Sequence, residues 1–257
     1  MEEKQILGID VGASGIKGAV VDLDTGELIT ERVRIETPQP ATPQAMAQTV
    51  IELVDQLGYP KDRPVGCGFP AVIKKGVALS AANIDPLWIG TNVENTFGQA
   101  VGNRVYALND ADAAGIASLQ YGDGKGYNEG TVILITVGSG LGSALFSDGV
   151  LVRNTELGHF TLEGQVAEHY ASANAKKRDG ISWEEWGYRF DKYLLEIEKY
   201  FSPDLILLGG GGSKKFEKYR HVLTVQTPIK PDRLLNKAGI VGAAYHAYHF
   251  AGAPAMP

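Results

Sequence analysis

The sequence predicts an α/β protein built from two βββαβα units. Its 257 residues carry one pattern twice, a strand, a glycine-containing turn and a second strand, at positions 6–18 and again at 132–145. After each copy, segments with apolar residues at helical spacing alternate with short apolar runs in the same order. A chain of this length accommodates two domains of ordinary size. We expect residues 1–109 with 238–257 to form the first domain and residues 110–237 the second.

The first half divides at its turn signals. Beyond the first hairpin, Asp24-Thr25-Gly26 separates strands at 19–23 and 27–36. Apolar residues at helical spacing predict a helix over 42–57, which ends at Gly58. The remaining patterns predict a strand at 64–69, a hairpin at 71–79, a helix at 91–101, a strand at 104–108 and a helix at 110–121.

The second half repeats this order. Strands are predicted at 131–137, 143–146 and 150–153, followed by helical sequence over 165–177. A long amphipathic helix begins at Trp183. A buried strand at 205–208, a helix at 213–220, a last strand at 221–226 and an Ala/Gly-rich helix at 238–250 complete the chain. Two such units match the actin-like ATPase fold, also called ribonuclease H-like, in which the ligand lies in a cleft between the domains.

The two glycine turns suit phosphate groups. Glycine lets a turn adopt positive φ and brings backbone N–H groups close to an anion. Two such turns indicate phosphoryl transfer. Ordinary glycine-rich hairpins are one alternative. A dinucleotide-binding loop is another, because Glu156 lies a suitable distance after Gly138, but the glycines are not spaced G-x-G-x-x-G and a further apolar run replaces the helix. The sequence contains no P-loop pattern.

Composition excludes several classes of protein. Hydrophobic residues make up 44% and charged residues 21%, as in soluble globular proteins, and no apolar run reaches the roughly 18–20 residues of a membrane span. The single cysteine, Cys67, which we expect in the core, excludes an internal disulfide and a multi-cysteine zinc site. A net charge of −6 argues against nucleic-acid binding. The N-terminal residues lead directly into a strand, so we expect no secretory leader and a cytoplasmic protein.

Positive charge is clustered at 74–75, 176–178 and 214–215. Such clusters are usually solvated surface, and they matter for function only if they border the phosphate turns.

Polar residues follow the strands where open α/β sheets bind ligands. Asn109 and Asp110 stand between a strand and a helix. A simple helix cap would explain them. A carboxylate here also suits a base that activates a hydroxyl group beside a phosphate. After the second hairpin, Glu156 and His159 offer an acceptor and a donor–acceptor for the hydroxyls of a sugar.

In combination these motifs resemble the ROK family of sugar kinases and sugar-responsive repressors, nearly from end to end. The residues that carry the resemblance are D-V-G-A-S-G-I-K-G at 10–18, G-F-P at 68–70, A-N-I-D at 82–85, N-D-A-D at 109–112, T-V-G-S-G-L-G-S-A-L at 136–145, E-L-G-H at 156–159 and L-L-G-G-G at 207–211.

The resemblance implies a role for each motif. Asp110 would be the base that takes a proton from the sugar 6-hydroxyl. The implied sugar-binding residues are Asn109, Glu156 and His159, with Asn83 and the backbone of Gly68 and Phe69 near the ring. The implied donor-binding residues are Asp10, Gly12, Ser14, Gly15 and Lys17 in the first hairpin, Thr136, Gly138, Ser139 and Gly140 in the second, and Gly210 and Gly211 by the nucleoside side. Asp10 would also help to place Mg²⁺ through water.

One departure from the family pattern is informative. ROK kinases usually follow E-x-G-H with a histidine and a C-x-C-G-x-x-G-C cluster that binds structural zinc. Residues 160–168 contain no cysteine. We therefore expect no zinc, and Glu168 as the counterpart of the family's sugar-binding glutamate.

The zinc-free version resembles the branch that phosphorylates glucose from inorganic polyphosphate. The supporting motifs are G-x-x-A-E at 164–168, S-W-x-x-W at 182–186, F-S-P-D-L-I-L-L-G-G-G at 201–211 and L-L-N-K-A-G-I-V-G-A-A at 234–244. We expect transfer from polyphosphate, with ATP open as a second donor, to the 6-hydroxyl of glucose. We also expect a homodimer without nucleic-acid or membrane partners.

Three alternatives stay open at this point. One is a strictly ATP-dependent ROK hexokinase that acts on glucose, mannose or a related sugar. A ROK-type repressor would need a helix-turn-helix domain ahead of the first phosphate turn, where only nine residues precede Asp10. An actin-like filament protein would not need Glu156 and His159.

Overall fold

A computed structural model of the protein describes residues 3–82 and 84–251. The described residues form fifteen strands and eight α-helices. The strands are β1 (Gln5–Gly12), β2 (Gly15–Asp22), β3 (Glu27–Leu28), β4 (Val33–Ile35), β5 (Val65–Phe69), β6 (Ile73–Lys74), β7 (Val77–Ala78), β8 (Val105–Asn109), β9 (Thr131–Val137), β10 (Leu141–Ser147), β11 (Val150–Val152), β12 (Thr161–Leu162), β13 (Gln165–Val166), β14 (Leu205–Gly209) and β15 (Ile229–Pro231). The helices are α1 (Pro43–Leu57), α2 (Val93–Val101), α3 (Asp110–Tyr121), α4 (Ala167–Ala171), α5 (Ala173–Asp179), α6 (Trp183–Phe201), α7 (Gly210–Ser213) and α8 (Ala238–Ala251).

The chain divides into two compact units within helix α3. The described parts of Met1–Ala117 and Lys237–Pro257 form the first unit, and Ser118–Asn236 form the second. Ala113, in the first half of α3, packs against Gly242 of α8. Ser118, further along the same helix, donates a hydrogen bond to Asp232, with 2.8 Å between Oγ and Oδ2. The boundaries therefore lie at 117/118 and 236/237, compared with 109/110 and 237/238 in the sequence-based prediction.

The first unit is built on a six-stranded sheet in the order β3-β2-β1-β5-β8, with β4 paired to β2. β1 and β2 are antiparallel, whereas β1, β5 and β8 run parallel to one another. The predicted strand at 27–36 is two short strands, β3 and β4. Between them the side-chain oxygen of Thr30 accepts a hydrogen bond from Val20 N–H, 3.0 Å away. A side-chain oxygen thus takes the place of the backbone carbonyl that a continuous strand would offer as acceptor.

Helices cover both faces of this sheet. Leu7 and Ile9 of β1 share a buried core with Met46 and Leu53 of α1. On the other face, α8 approaches β1 and β5 so closely that a Cβ atom on Gly8 or Gly66 would collide with a carbonyl oxygen of the helix. Only glycine at positions 8 and 66 permits this approach.

The second unit contains a five-stranded sheet in the order β11-β10-β9-β14-β15. β9, β10 and β11 form an antiparallel meander, and β14 lies parallel to both β9 and β15. Helix α6 packs on this sheet through Trp186, Phe190, Tyr193 and other buried residues. It begins with a capping box, in which Ser182 and Glu185 each satisfy a backbone N–H of the other.

Two predicted elements in this unit are wrong. The predicted helix at 213–220 is replaced by the end of α7 and two 3₁₀ turns, Phe216–Lys218 and Arg220–Val222. The predicted strand at 221–226 is not a strand, because its backbone bonds to the Asp191 carboxylate of α6. Asp191 accepts from Thr224 N–H at 2.6 Å and from Val225 N–H at 3.4 Å, and just after this segment Glu198 accepts from Thr227 N–H at 2.6 Å. The last strand is β15, further along the chain.

The predicted helical segment at 165–177 begins with a strand and is then interrupted. Gln165 and Val166 belong to β13, and α4 and α5 are separated at Ser172, whose side chain caps α5 by accepting from Ala175 N–H at 3.1 Å.

Across the described residues, none of the helices has both the length and the apolar character needed to cross a membrane.

Candidate active site

In the first unit, three neighbouring parallel strands bring the predicted residues to one edge of the sheet. In the strand register, Asp10 of β1 pairs with Gly68 of β5, and Phe69 of β5 pairs with Asn109 of β8. Asp110 follows directly as the first residue of α3, and a Cβ on Gly68 would lie 3.6 Å from its Cα. Asp10, Gly68, Phe69, Asn109 and Asp110 therefore line the carboxyl edge, where open α/β sheets bind ligands.

Asn109 caps helix α3. Its Oδ1 accepts hydrogen bonds from the N–H groups of Ala111 and Asp112, at 2.9 and 3.1 Å, and its Nδ2 donates to Ala71 O at 3.2 Å. The helix-cap interpretation of this residue is thus correct. The cap also fixes the direction in which α3 leaves the sheet, and with it the position of Asp110.

Phe69 has a structural side chain. Its ring is fully buried and packs edge-on against Trp88, with 4.7 Å between ring centroids. Only its backbone is left for a ligand, as expected from the sequence. Asn83, the other residue predicted near the sugar ring, lies outside the described residues.

The first glycine turn joins β1 to β2 between Gly12 and Gly15, with Ser14 in the turn. Its backbone carbonyls are held from outside. Thr37 donates to Gly12 O at 2.6 Å, and Arg34 donates to Ser14 O at 2.7 Å. Fixing the carbonyl groups in this way leaves the turn's N–H groups as the groups that can face an anion.

The glycines of both turns have ordinary φ angles, which corrects the expectation that they adopt positive φ. Gly12, Gly15, Gly138 and Gly140 are all absent from the positive-φ residues of the described chain. At Gly15 and Gly140 the end of a flexible side chain packs closely against the glycine. A Cβ on Gly15 would lie 2.8 Å from Nε of Arg34, and one on Gly140 would collide with the Glu168 carboxylate.

In the second unit, the turn residues meet the final glycine run. Thr136 of β9 pairs with Gly209 of β14, so the turn after β9 and the segment after β14 lie at the same sheet edge. Gly138 N–H donates to Gly140 O at 3.0 Å, which closes the turn that contains Ser139. Gly210, with φ of 73°, opens α7 beside Val137, and Gly211 follows it in the helix. The predicted donor-binding residues of this unit are therefore adjacent.

Glu156, His159 and Glu168 form a cluster beside this turn. Nδ1 of His159 lies 3.5 Å from a Glu156 oxygen, and Nε2 lies 3.6 Å from a Glu168 oxygen. The other Glu168 oxygen accepts from Leu141 N–H at 3.3 Å. An imidazole between two carboxylates presents acceptors and a donor within a few ångströms, which is the chemistry needed to bind vicinal hydroxyl groups.

The backbone around Glu156 is tied to strand β10 by Ser143. Its Oγ donates to Thr155 O and accepts from Leu157 N–H at 3.0 Å. Burial raises the pKa of Glu156, and the negative charge of Glu168 adds to this while His159 opposes it. A raised pKa next to a partly exposed histidine is typical of a functional carboxylate.

Asp10 is the acidic group that a divalent cation would meet at the first turn. Within residues 3–82 and 84–251, no group of three His, Cys, Asp or Glu side chains forms a metal site. Mg²⁺ that is bound together with phosphates needs only one or two carboxylates and keeps several waters. Asp10 is partly exposed and pairs with Lys17 through one oxygen. It therefore fits a cation held mainly by the donor phosphates and water.

The three basic clusters differ in their surroundings. Lys176 donates to Ile181 O at 2.6 Å and lies over the Trp183 ring. Arg178 pairs with Asp179, whose pKa is lowered to about 2 by Arg178 and Arg189. By contrast, the lysines at 214–215 and 74–75 are exposed and form no ion pair within the described chain.

The sequence patterns did not predict the residues that hold the turns and loops of the site in place. Thr37 and Arg34 hold the first turn, Ser143 holds the Glu156 loop, and Gly239 at the start of α8 lies against Asp10, where a Cβ would come within 2.9 Å of the carboxylate carbon. The K-A-G-I-V-G-A-A motif at 237–244 was the available signal for Gly239.

The repeated sheet topology, with a glycine turn at the carboxyl edge of each sheet, defines the class: the protein has the actin-like ATPase fold. The model of the ROK family matches residues 6–177, more than half of the chain. The protein belongs to the ROK family.

The chain is also similar to individual proteins, in sequence and in structure. The chain is 47% identical over 238 residues to the polyphosphate glucokinase of Mycobacterium tuberculosis, an alignment that covers 92% of this chain and 89% of that protein. It is similar in structure to the inorganic polyphosphate/ATP-glucomannokinase of Arthrobacter sp. strain KM, with a TM-score of 0.93, 45% identity and coverage of 96% and 99%. A ROK family glucokinase of Streptomyces griseus, at 24% identity and a TM-score of 0.81 over 95% and 99% of the two chains, shares the fold.

Proposed function

We propose that the protein is a polyphosphate glucokinase, which transfers a phosphoryl group from inorganic polyphosphate to the 6-hydroxyl of glucose, with ATP open as a second donor. The observation that carries this proposal is the cluster of Glu156, His159 and Glu168 beside the second phosphate turn. Relatives of 44–47% identity named polyphosphate glucokinase support the choice of donor.

Asp110 is the proposed general base. It stands at the carboxyl edge of the first sheet, directly after the Asn109 cap, and accepts a hydrogen bond from Ala111 N–H at 2.8 Å through Oδ1. In the reaction, Asp110 takes the proton of the sugar 6-hydroxyl as that oxygen attacks the terminal phosphorus of the donor. The bond from phosphorus to the bridging oxygen breaks, and the shortened polyphosphate or ADP leaves with the electron pair.

The sugar is held by hydrogen bonds to Glu156, His159 and Glu168, with Asn109, Asn83 and the Gly68–Phe69 backbone as further proposed contacts. Glu168 also bonds to the second phosphate turn through Leu141 N–H. One side chain thus touches both the sugar cluster and the donor turn. This arrangement supports a reaction in which sugar and phosphate are bound next to each other, which is the main source of rate in phosphoryl transfer.

The donor is held by the two turns: Gly12, Ser14, Gly15 and Lys17 in one and Thr136, Gly138, Ser139 and Gly140 in the other, with Gly210 and Gly211 beyond. Asp10 would hold Mg²⁺ through water, and the bound cation would neutralise charge on the transferred phosphoryl group. Lys17 supplies a fixed positive charge at the same turn.

We also propose a cytoplasmic homodimer that needs no zinc. Light scattering coupled to gel filtration measures the subunit number, and elemental analysis measures zinc. A monomer, or one tightly bound zinc per chain, would contradict these two points.

Product formation tests the proposal. Purified protein, glucose, polyphosphate and Mg²⁺ should give glucose phosphorylated at O6, identified by ³¹P NMR. Glu156→Ala and His159→Ala should each raise the KM for glucose and leave the KM for the donor unchanged, since each removes hydrogen bonds worth about 1–3 kcal/mol. An unchanged glucose KM in both variants would place the sugar elsewhere.

A further inference from the structure

A short β-hairpin, formed by β12 and β13, separates His159 from Glu168 in the chain and brings them together in space. Phe160 and Ala167 close its base, where Ala167 N–H donates to Phe160 O at 2.9 Å. His159 precedes this base and Glu168 follows it, and their side chains approach to 3.6 Å. The position of the hairpin base therefore sets the spacing of these two side chains.

The base is anchored on helix α6 by an aromatic contact. The ring of Phe160 stacks on Tyr193, with centroids 5.4 Å apart and planes 6° from parallel. Tyr193 is fully buried and continues a stacked row through Phe190 to Trp186. Stacking of two flat rings fixes the orientation of Phe160 as well as its distance from the helix.

The tip of the hairpin is held much less firmly. Glu163 and Gly164 form the turn with positive φ angles of 51° and 75°. Glu163 pairs with Lys192, but both side chains are about half exposed, at 46% and 49%. An exposed ion pair of this kind contributes little. Leu162 of β12 is also buried in this core, whereas Phe160 is the residue that anchors the hairpin base next to His159 and Glu168.

We propose that Phe160 is a positioning residue of the sugar site: its stacking on Tyr193 holds the hairpin base so that His159 and Glu168 stand at the spacing that binds glucose. This inference rests on the proposed function. Phe160 itself touches neither sugar nor donor and acts through its two neighbours.

The experiment compares Phe160→Ala with Phe201→Ala and Phe160→Tyr. Phe201 is the matched control, since it is also a partly buried phenylalanine on the same core and lies at the far end of α6. Phe160→Ala should raise the KM for glucose about 10-fold or more, while kcat and the KM for polyphosphate change by less than about 3-fold. Phe160→Tyr keeps the ring and should restore the wild-type KM. Phe201→Ala should lower the melting temperature without changing the KM.

The outcomes separate the inference from the function it rests on. Wild-type protein that phosphorylates no glucose would overturn both. An active wild type, with Phe160→Ala and Phe201→Ala equally destabilised and equally unchanged in glucose KM, would overturn the inference alone. If Phe160→Ala does not fold, Phe160→Leu keeps the apolar volume and loses the flat ring. Its glucose KM should rise, and a wild-type value would again overturn the inference.

Discussion

Asp10 and Lys17 face each other across the first hairpin as strand partners, with 3.0 Å between Oδ2 and Nζ. The pair is partly buried, and the turn between its two strands is the first proposed phosphate site. Asp10 thus fixes the lysine on the hairpin without removing its charge. A phosphate chain that enters the turn would find this cation already in place.

Lys17→Met should weaken donor binding. Loss of a charged hydrogen bond of about 1.5–3 kcal/mol corresponds to roughly a 10- to 100-fold rise in donor KM, for polyphosphate and ATP alike. Initial-rate kinetics measure this, and the glucose KM should not move. Lys4→Met is the matched control, because Lys4 pairs with Asp24 near the opposite end of the same two strands. Equal effects of the two substitutions would remove Lys17 from the donor site.

Asp110→Asn should abolish most turnover while the protein keeps its fold and its affinity for glucose. A positioned base contributes about 10²–10⁴-fold, so kcat should fall by at least roughly that range. Asparagine keeps an oxygen that can accept from Ala111 N–H, which preserves the start of α3. A folded variant with near wild-type kcat would show that Asp110 is not the base.

Glu156→Gln should stabilise the protein against unfolding at about pH 7 and at the same time weaken its binding of glucose. Because burial raises the pKa of Glu156 above its ordinary value of 4.5, the folded protein holds this proton to higher pH than the unfolded chain does. The stability from Glu156 is therefore complete below pH 4.5 and is lost as pH rises through the folded-state pKa.

Glutamine carries no charge to bury, so at about pH 7 the variant should melt at a higher temperature than the wild type. The difference should shrink toward about pH 4, and the glucose KM at about pH 7 should be raised. Thermal melts across this pH range measure the effect. A difference that grows as the pH falls would contradict the assigned direction of the pKa shift.

Lys214→Gln with Lys215→Gln should raise the KM for long-chain polyphosphate more than the KM for ATP. These exposed lysines follow α7 and its glycines directly, so they can attract the distal part of a long polyanion. The effect should weaken with added salt, because charges are screened over about 8 Å at physiological ionic strength.

The double substitution of Lys74 and Lys75 by glutamine is the control with the same charge change. If the two double variants have equal effects, residues 214–215 are ordinary solvated surface and take no specific part in binding polyphosphate. The cluster at 176–178 is a poorer candidate than the sequence suggested, since Lys176 and Arg178 are occupied by contacts within the second unit.

Local sequence patterns predicted most strands and helices, and with them the two sheet edges. Asp10, Asn109 and Thr136 each lie within the last three residues of a strand, and parallel pairing aligns such ends without further information. The strand expected at 221–226 failed because alternating apolar residues predict an extended backbone but not its partner. There the partner is a helix carboxylate, Asp191, which accepts from two successive backbone N–H groups.

The proximity of His159 to Glu168 could not be read from spacing alone. It depends on a hairpin whose two strands have only two residues each, too short to give a period. The hydrogen bonds from Thr37 and Arg34 to the first turn could not be predicted from the sequence for a related reason. Their side chains bond to backbone carbonyls 25 and 20 residues away, and every residue has a carbonyl group, so no residue type marks the acceptor.

The rate of glucose 6-phosphate formation by the wild-type protein, with polyphosphate and with ATP in the same preparation, tests the central claim most directly. Coupling to glucose 6-phosphate dehydrogenase follows both donors with one readout, and removal of divalent cations should stop both reactions. We expect turnover with polyphosphate, whether or not ATP also serves. Turnover with ATP and none with polyphosphate would contradict the proposal and leave a strictly ATP-dependent ROK hexokinase in its place.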